Sequence, residues 1–217
     1  MLVYLGNIEK ENQNEFEIVV RQICKDCKIA NPNWLMIIMY AESNLRLVSN
    51  SIGAYGYIQI TPSTALGLGI SITELRKLSW KGYMQYAKAY IQERIKDANG
   101  VAPSSAYELY ELIHYPISYR KPDSYVLYSE GSNAYSGNKA LDYNKDGKVI
   151  NAEVKQFIDS KCPILYDKSM LLKPEDSNNY YYQNYQVGNI IVSVSIVVLL
   201  FVGMQIFKKR NFKIKKQ

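Results

Sequence analysis

Glu42 closes the apolar run Leu35-Met36-Ile37-Ile38-Met39-Tyr40-Ala41 and opens the loop ESNLRLVSNSIGAYGYIQITPSTA, residues 42–65. A carboxyl group at the C-terminal end of an apolar helix is partly desolvated and faces the negative end of the helix dipole. Both effects favour the uncharged acid. Such a group can give a proton to an ether-type oxygen and take one back in a later step, which is general acid–base chemistry from one residue. The loop surrounds it with groups that could hold a ligand: the Ser43 hydroxyl, the Gln59 amide, the Tyr57 ring as a stacking surface, and Gly53 and Gly56, which admit backbone conformations closed to other residues. No Asp or Glu lies between Glu42 and Glu74, so a nearby partner carboxylate of the usual two-acid glycosidase kind is not supplied by this segment. Asp123 and Glu130 are the distant acids that folding could still bring in.

A second constellation is DYNKDGKVINAE, residues 142–153. Asp142, Asn144 and Asp146 fall at positions 1, 3 and 5 of the twelve-residue EF-hand loop. Gly147 takes position 6, the Lys148 carbonyl position 7, and Glu153 the bidentate position 12. Calcium needs this count of oxygen donors, and the glycine permits the sharp turn. Because sensor loops come in pairs and only one is present, the pattern predicts a structural calcium ion rather than a switch.

The anchors Glu42, Ser43, Gly53, Ala54, Gly56, Gln59, Pro62, Thr64 and Ala65 resemble the soluble lytic transglycosylase family, whose pattern is Glu-Ser, a loop, Gly-Ala-x-Gly-hydrophobic-x-Gln, then Pro-x-Thr-Ala. The likeness is strong from Asn33 to about Tyr90 and looser to about residue 155. It implies a lysozyme-like fold and cleavage of the MurNAc-GlcNAc β-1,4 bond of peptidoglycan. In that chemistry Glu42 protonates the leaving oxygen, the N-acetyl group assists, and Glu42 then deprotonates the 6-hydroxyl to close an anhydro ring. Ser43, Gly53, Tyr57 and Gln59 become the substrate-binding residues. Tyr57 stands where the family usually has an apolar residue, and the later AYNAG-like motif is absent. In its place is Tyr115-Pro116-Ile117-Ser118-Tyr119-Arg120-Lys121-Pro122-Asp123-Ser124-Tyr125, similar to phage-encoded members. The alternatives are a muramidase that hydrolyses the same bond, and a non-catalytic membrane protein of a virion or envelope.

The elements that must position these residues are mainly helical. Phe16, Val19, Val20, Ile23, Cys24 and Cys27 form one stripe over Glu15 to Lys28, and a helix capped by Asn31 with Pro32 in its first turn runs to Ser43. Further helices are predicted over 72–78, 80–97 and 104–113. Three cysteines, Cys24, Cys27 and Cys162, and one histidine, His114, do not make up a zinc site or a disulfide framework.

The net charge of +6 has a local origin, since six of the 26 basic residues lie in 208–217 and removing them leaves 20 basic against 20 acidic. A neutral body lacks the electrostatic footprint of a nucleic-acid binder. Asn189 to Phe207 runs 19 residues without a charge, about 28 Å of helix and enough for a bilayer core. Tyr180, Tyr181, Tyr182 and Tyr185 precede it and the basic tail follows, as at the two edges of a membrane span. The first residues lack the basic and apolar regions of a secretory signal. The sequence therefore predicts a mainly α, lysozyme-like transglycosylase domain over 1–160 with a calcium loop at 142–153, a stalk over 161–186, a membrane helix over 187–207 and a basic tail over 208–217. The expected setting is a single-pass protein of a virion inner membrane or bacterial envelope with its catalytic domain facing the wall. Its partners are glycan strands, the lipid bilayer and other virion or envelope proteins.

Overall fold

A computed structural model describes residues 1–175. The predicted membrane helix and basic tail lie outside the described residues, as does the stalk from 176 onward. Among the described residues no helix is long and apolar enough to cross a membrane. The chain is mainly helical, in the order α1 (Gln13–Asp26), α2 (Pro32–Ser43), α3 (Pro62–Gly67), α4 (Ile72–Leu75), α5 (Trp80–Asp97), α6 (Ala106–His114), β1 (Val126–Ser129), α7 (Asn133–Asn138), β2 (Lys148–Ile150) and α8 (Asn151–Ser160).

The architecture is organised by α2. Trp34, Leu35, Met36, Ile37, Ile38 and Met39 are all buried, so the helix is apolar on every side and must sit at the centre. It packs against α1, α6 and α8. Its start is fixed by Asn31, whose side-chain oxygen accepts from the Asn33 amide at 3.0 Å, and by Pro32, whose missing N–H costs nothing in the first turn. Its end is fixed by Asn44 in the left-handed region, φ 56°. α1 shows the stripe that the sequence predicts, with Phe16, Val20, Ile23 and Cys24 buried. All three cysteines are free and buried, and burial pushes the Cys27 thiol up to about 11.

β1 and β2 pair antiparallel, Tyr128 opposite Val149 and Ser129 opposite Lys148, with an irregularity between Val126 and Tyr128. This short ribbon carries α7 on one connection and the 142–153 loop leading into β2.

Residues 161–175, read from their composition as the beginning of a stalk, are part of the folded unit. A 3₁₀ turn at Lys168–Leu171 buries Leu171 completely. The Met170 carbonyl accepts from the Trp34 indole at 2.8 Å, and the Asn31 amide reaches the carbonyls of Lys173 at 3.1 Å and Met170 at 3.4 Å. The Glu175 amide donates to Ala30, and its carboxylate pairs with Arg21 at 2.8 Å. Scattered apolar anchors, Cys162, Tyr166 and Leu171, and a handful of backbone bonds have no periodicity, which is why composition alone suggested a stalk.

Asn31 is fully buried and serves both the helix start and this return segment. Replacing it by Ala is expected to cost about 2 kcal/mol, from the lost cap together with the Lys173 carbonyl left without its donor, the Met170 carbonyl keeping Trp34. Urea unfolding would show the loss, and hydrogen exchange would show earlier opening of the amides of residues 170–175.

Candidate active site

Glu42 occupies the last turn of α2, and its side chain keeps 17% of its surface accessible, enough for a ligand to reach. The Tyr110 hydroxyl donates to its Oε1 at 2.7 Å. The His114 Nε2 lies 3.6 Å from the same oxygen. Tyr110 and His114 are one helical turn apart on α6, so both side chains face α2, and their rings lie 4.7 Å apart. Tyr115 closes the group, its ring 5.7 Å from that of Tyr110 and its hydroxyl donating to Asn138 at 3.2 Å. Behind Tyr115 stands Tyr128 of β1, at 5.9 Å.

These neighbours are electrically soft. Burial pushes the Tyr110 hydroxyl well above its ordinary range, and the Glu42 charge adds to the effect. Burial raises Tyr115 in the same way. Burial lowers His114, with Glu42 pulling the other way, so the imidazole is neutral at pH 7 and no full ion pair forms. Tyr110 alone hydrogen-bonds Oε1, the nearby His114 Nε2 being buried without a hydrogen-bond partner, and among the described residues no donor holds the other oxygen, Oε2.

Ser43 and Tyr57 are brought together, but by each other rather than by an open site. The Ser43 hydroxyl is buried, within reach of the carbonyls of Met39 at 3.0 Å and Tyr57 at 3.1 Å. It ties the end of α2 to the following loop. Tyr57 is buried edge-on against Phe16 and Tyr83, and burial pushes its hydroxyl up to about 12. It also lines an open groove of about 340 Å³ with Arg46, Trp80, Asn7, Ile8, Glu9 and Asn12. The Gln59 amide donates to the carbonyls of Gly56 at 2.7 Å and Val48 at 3.2 Å. Its oxygen is buried without a partner, a polar atom left for something the loop itself does not supply.

The glycines divide. Gly53 has φ 81°, and a side chain there would meet nothing closer than 3.7 Å, so only its conformation demands glycine. Gly56 has φ 87°, and a Cβ would stand 2.0 Å from the Tyr83 ring. That ring's hydroxyl holds the same loop, donating to the Tyr55 carbonyl at 3.1 Å and accepting from the Ile58 amide at 3.2 Å. Gly56 therefore serves packing against Tyr83 rather than approach to a ligand.

Of the distant acids, Asp123 pairs with Lys155, while Glu130 is exposed at the end of β1, its backbone amide donating to the Gly147 carbonyl of the 142–153 loop. In that loop Asp142 accepts from the amides of Asp146 and Gly147 and from the Tyr135 hydroxyl at 2.6 Å. The Tyr135 bond in particular holds the Asp142 carboxyl below the usual carboxylate range. Asn144 accepts from the Asp146 amide and Asp146 from the Lys148 amide. Glu153 accepts from the amides of Tyr143 and Ile150, joining the start of the loop to the start of α8. The all-oxygen donor set has the chemistry of a calcium site. Among the described residues, however, no three acidic, His or Cys side chains converge as a metal group, each carboxylate here being satisfied by loop donors.

Comparison with family models, with curated proteins and with solved structures found no match. The site therefore has to be read from its own geometry. Sequence reasoning did not assign Tyr110, His114 or Tyr115 to it. The signal was the i, i+4 pair Tyr110 and His114 on an amphipathic helix, which gives a shared face but not the identity of what that face meets.

Two outcomes follow from this geometry. Gly56→Ala forces a side chain into the Tyr83 ring at a left-handed position, and is expected to lower stability by at least about 3 kcal/mol in chemical denaturation. Glu111 of α6 is 2% exposed, and burial raises its carboxyl from 4.5 to about 7 against the pull of Lys155. Between those values the folded chain holds a proton that the unfolded chain has lost, so this group's contribution to stability falls as pH rises from 4.5 through 7. Glu111→Gln removes that loss. Its melting temperature should exceed that of the parent at pH 8, by roughly a few degrees, with the gap closing near pH 4.5.

Proposed function

We propose that this chain is a peptidoglycan lytic transglycosylase with a lysozyme-like fold, cleaving the MurNAc-GlcNAc β-1,4 bond with Glu42 as both acid and base. The observation that carries the reading is the accessible Glu42 carboxyl at the end of a buried helix, held through Oε1 by Tyr110 and left free at Oε2.

In the acid step the proton on Oε2 passes to the oxygen that links the two sugars, and the carbon–oxygen bond breaks. The N-acetyl carbonyl of the muramic residue stabilises the positive charge that develops on the ring. Glu42, now a carboxylate, takes the proton of the sugar's own 6-hydroxyl, and that oxygen closes onto the anomeric carbon. The glutamate ends as it began, protonated, so no second carboxylate and no water are consumed. The pairing of Asp123 with Lys155 supports this single-carboxylate route over two-acid hydrolysis. The Tyr110 hydroxyl keeps the carboxylate from swinging away between the steps.

Gln59, whose amide donates to the Gly56 and Val48 carbonyls, shapes the loop that follows Glu42 in this reading. A structural calcium ion in the 142–153 loop belongs to the same reading, held by Asp142, Asn144, Asp146, the Lys148 carbonyl and Glu153. So does anchoring of the domain at a virion inner membrane or bacterial envelope through residues 187–207, for opening the wall.

Mass spectrometry of muropeptides released by the full chain tests the activity. Anhydro-muramic ends are expected, and Glu42→Gln should reduce their release by at least about 10²-fold. Reducing ends would make the enzyme a muramidase, and equal absence of product from both proteins would refute the enzymatic reading.

A further inference from the structure

A second polar cavity, of about 600 Å³, opens beside α6 at Glu108 and Glu111, the helix positions that do not address Glu42. Ser104, Tyr107, Arg120, Lys121 and Lys155 complete its polar wall. Its base holds a feature that proteins rarely keep: Glu111 is 2% exposed, and although the Arg120 backbone amide bonds its carboxyl group, the Oε1 atom has no hydrogen-bond partner. A buried carboxylate oxygen without a donor carries the full cost of its desolvation, which a ligand that brings an N–H donor would remove.

The other charges of the cavity are mostly committed. Arg120 pairs with Glu108 at 3.2 Å, Lys155 pairs with Asp123, and Glu108 also accepts from the Ser104 amide and hydroxyl. The Tyr107 hydroxyl is given to Asp159. Among the described residues Lys121 forms no ion pair, and its side chain is exposed at the mouth. The unmet demands are therefore one acceptor at the base and one cation at the rim. A purely anionic ligand would leave Glu111 unanswered, and a simple amine would leave Lys121 unanswered.

We infer that this cavity binds a zwitterionic amino-acid group, an ammonium directed to Glu111 and a carboxylate to Lys121, of the size of a free amino acid or dipeptide. The site does not depend on the glycosidase reading, since Glu42 and its partners take no part in it.

Calorimetric titration of the full chain at pH 8, where Glu111 is ionised, tests the inference with three probes: dialanine, its N-acetylated form and its C-terminal amide. Dialanine is expected to bind, with each blocked form weaker by at least about tenfold. Glu111→Gln should lose dialanine to the same degree while retaining its fold by circular dichroism. Lys121→Ala should weaken dialanine but leave the amide unchanged. Equal binding of all three probes, undiminished binding by Glu111→Gln, or no binding of dialanine at millimolar concentration would each overturn the inference. Muropeptide release, measured separately, reports on Glu42 alone.

Discussion

A helix that is apolar on every side can satisfy its surface only by being surrounded, and α2 imposes that condition on the rest of the described chain. α1, α6 and α8 are the surrounding layer, and each brings polar groups to places α2 determines. The end of α2 is where burial gives way to solvent, and Glu42 stands at that boundary. Had the apolar run stopped one turn earlier, the carboxylate would have been an ordinary exposed charge. Had it continued, the group would have been sealed in. The same helix start, through Asn31 and Trp34, also decides where the segment up to Glu175 settles.

The hydroxyl and imidazole that address Glu42 come from a single helix, which makes their spacing a property of helical geometry rather than of loop conformation. Tyr110, His114 and Tyr115 form a low-dielectric wall on one side of the carboxylate. Within such a wall a hydrogen bond is stronger than in water, and an unpaired charge is more costly. That arrangement fixes the Oε1 end of the Glu42 carboxyl through the Tyr110 hydroxyl. The loop of residues 44–61 does different work. Its left-handed positions, at Asn44, Leu45, Gly53, Gly56 and Gln59, fold it back onto Tyr83, and Ser43 clamps it to the helix end.

Much of the helical framework was legible in the sequence. The Asn31 cap, Pro32 and the apolar stripe of α1 placed two helices nearly to the residue, and the span 80–97 was read as it stands. The mainly α class followed from the same periodicity. What was not legible is long-range: that Tyr110 and His114 face Glu42, that Gly56 exists for Tyr83, that Leu171 is an anchor. A pattern of types along a chain records which face is apolar, not which other face it will meet. Ser43 and Tyr57 show the converse difficulty, since a hydroxyl and an aromatic ring placed beside a candidate acid are equally good at holding a backbone in place. Only burial and partners distinguish the two uses.

The Met170 carbonyl, shared by Asn31 and Trp34, has a mechanical meaning. It fastens the outgoing chain to the start of α2, while Glu42 sits at the other end of that helix, about 15 Å away along the axis. A pull applied to the chain beyond Glu175 would be borne first by the Arg21 ion pair, the Ala30 carbonyl and this bond. The load enters at the foot of the central helix and at α1, at the end of α2 opposite Glu42. A tether attached there could be strained by whatever holds it without moving Glu42 relative to Tyr110.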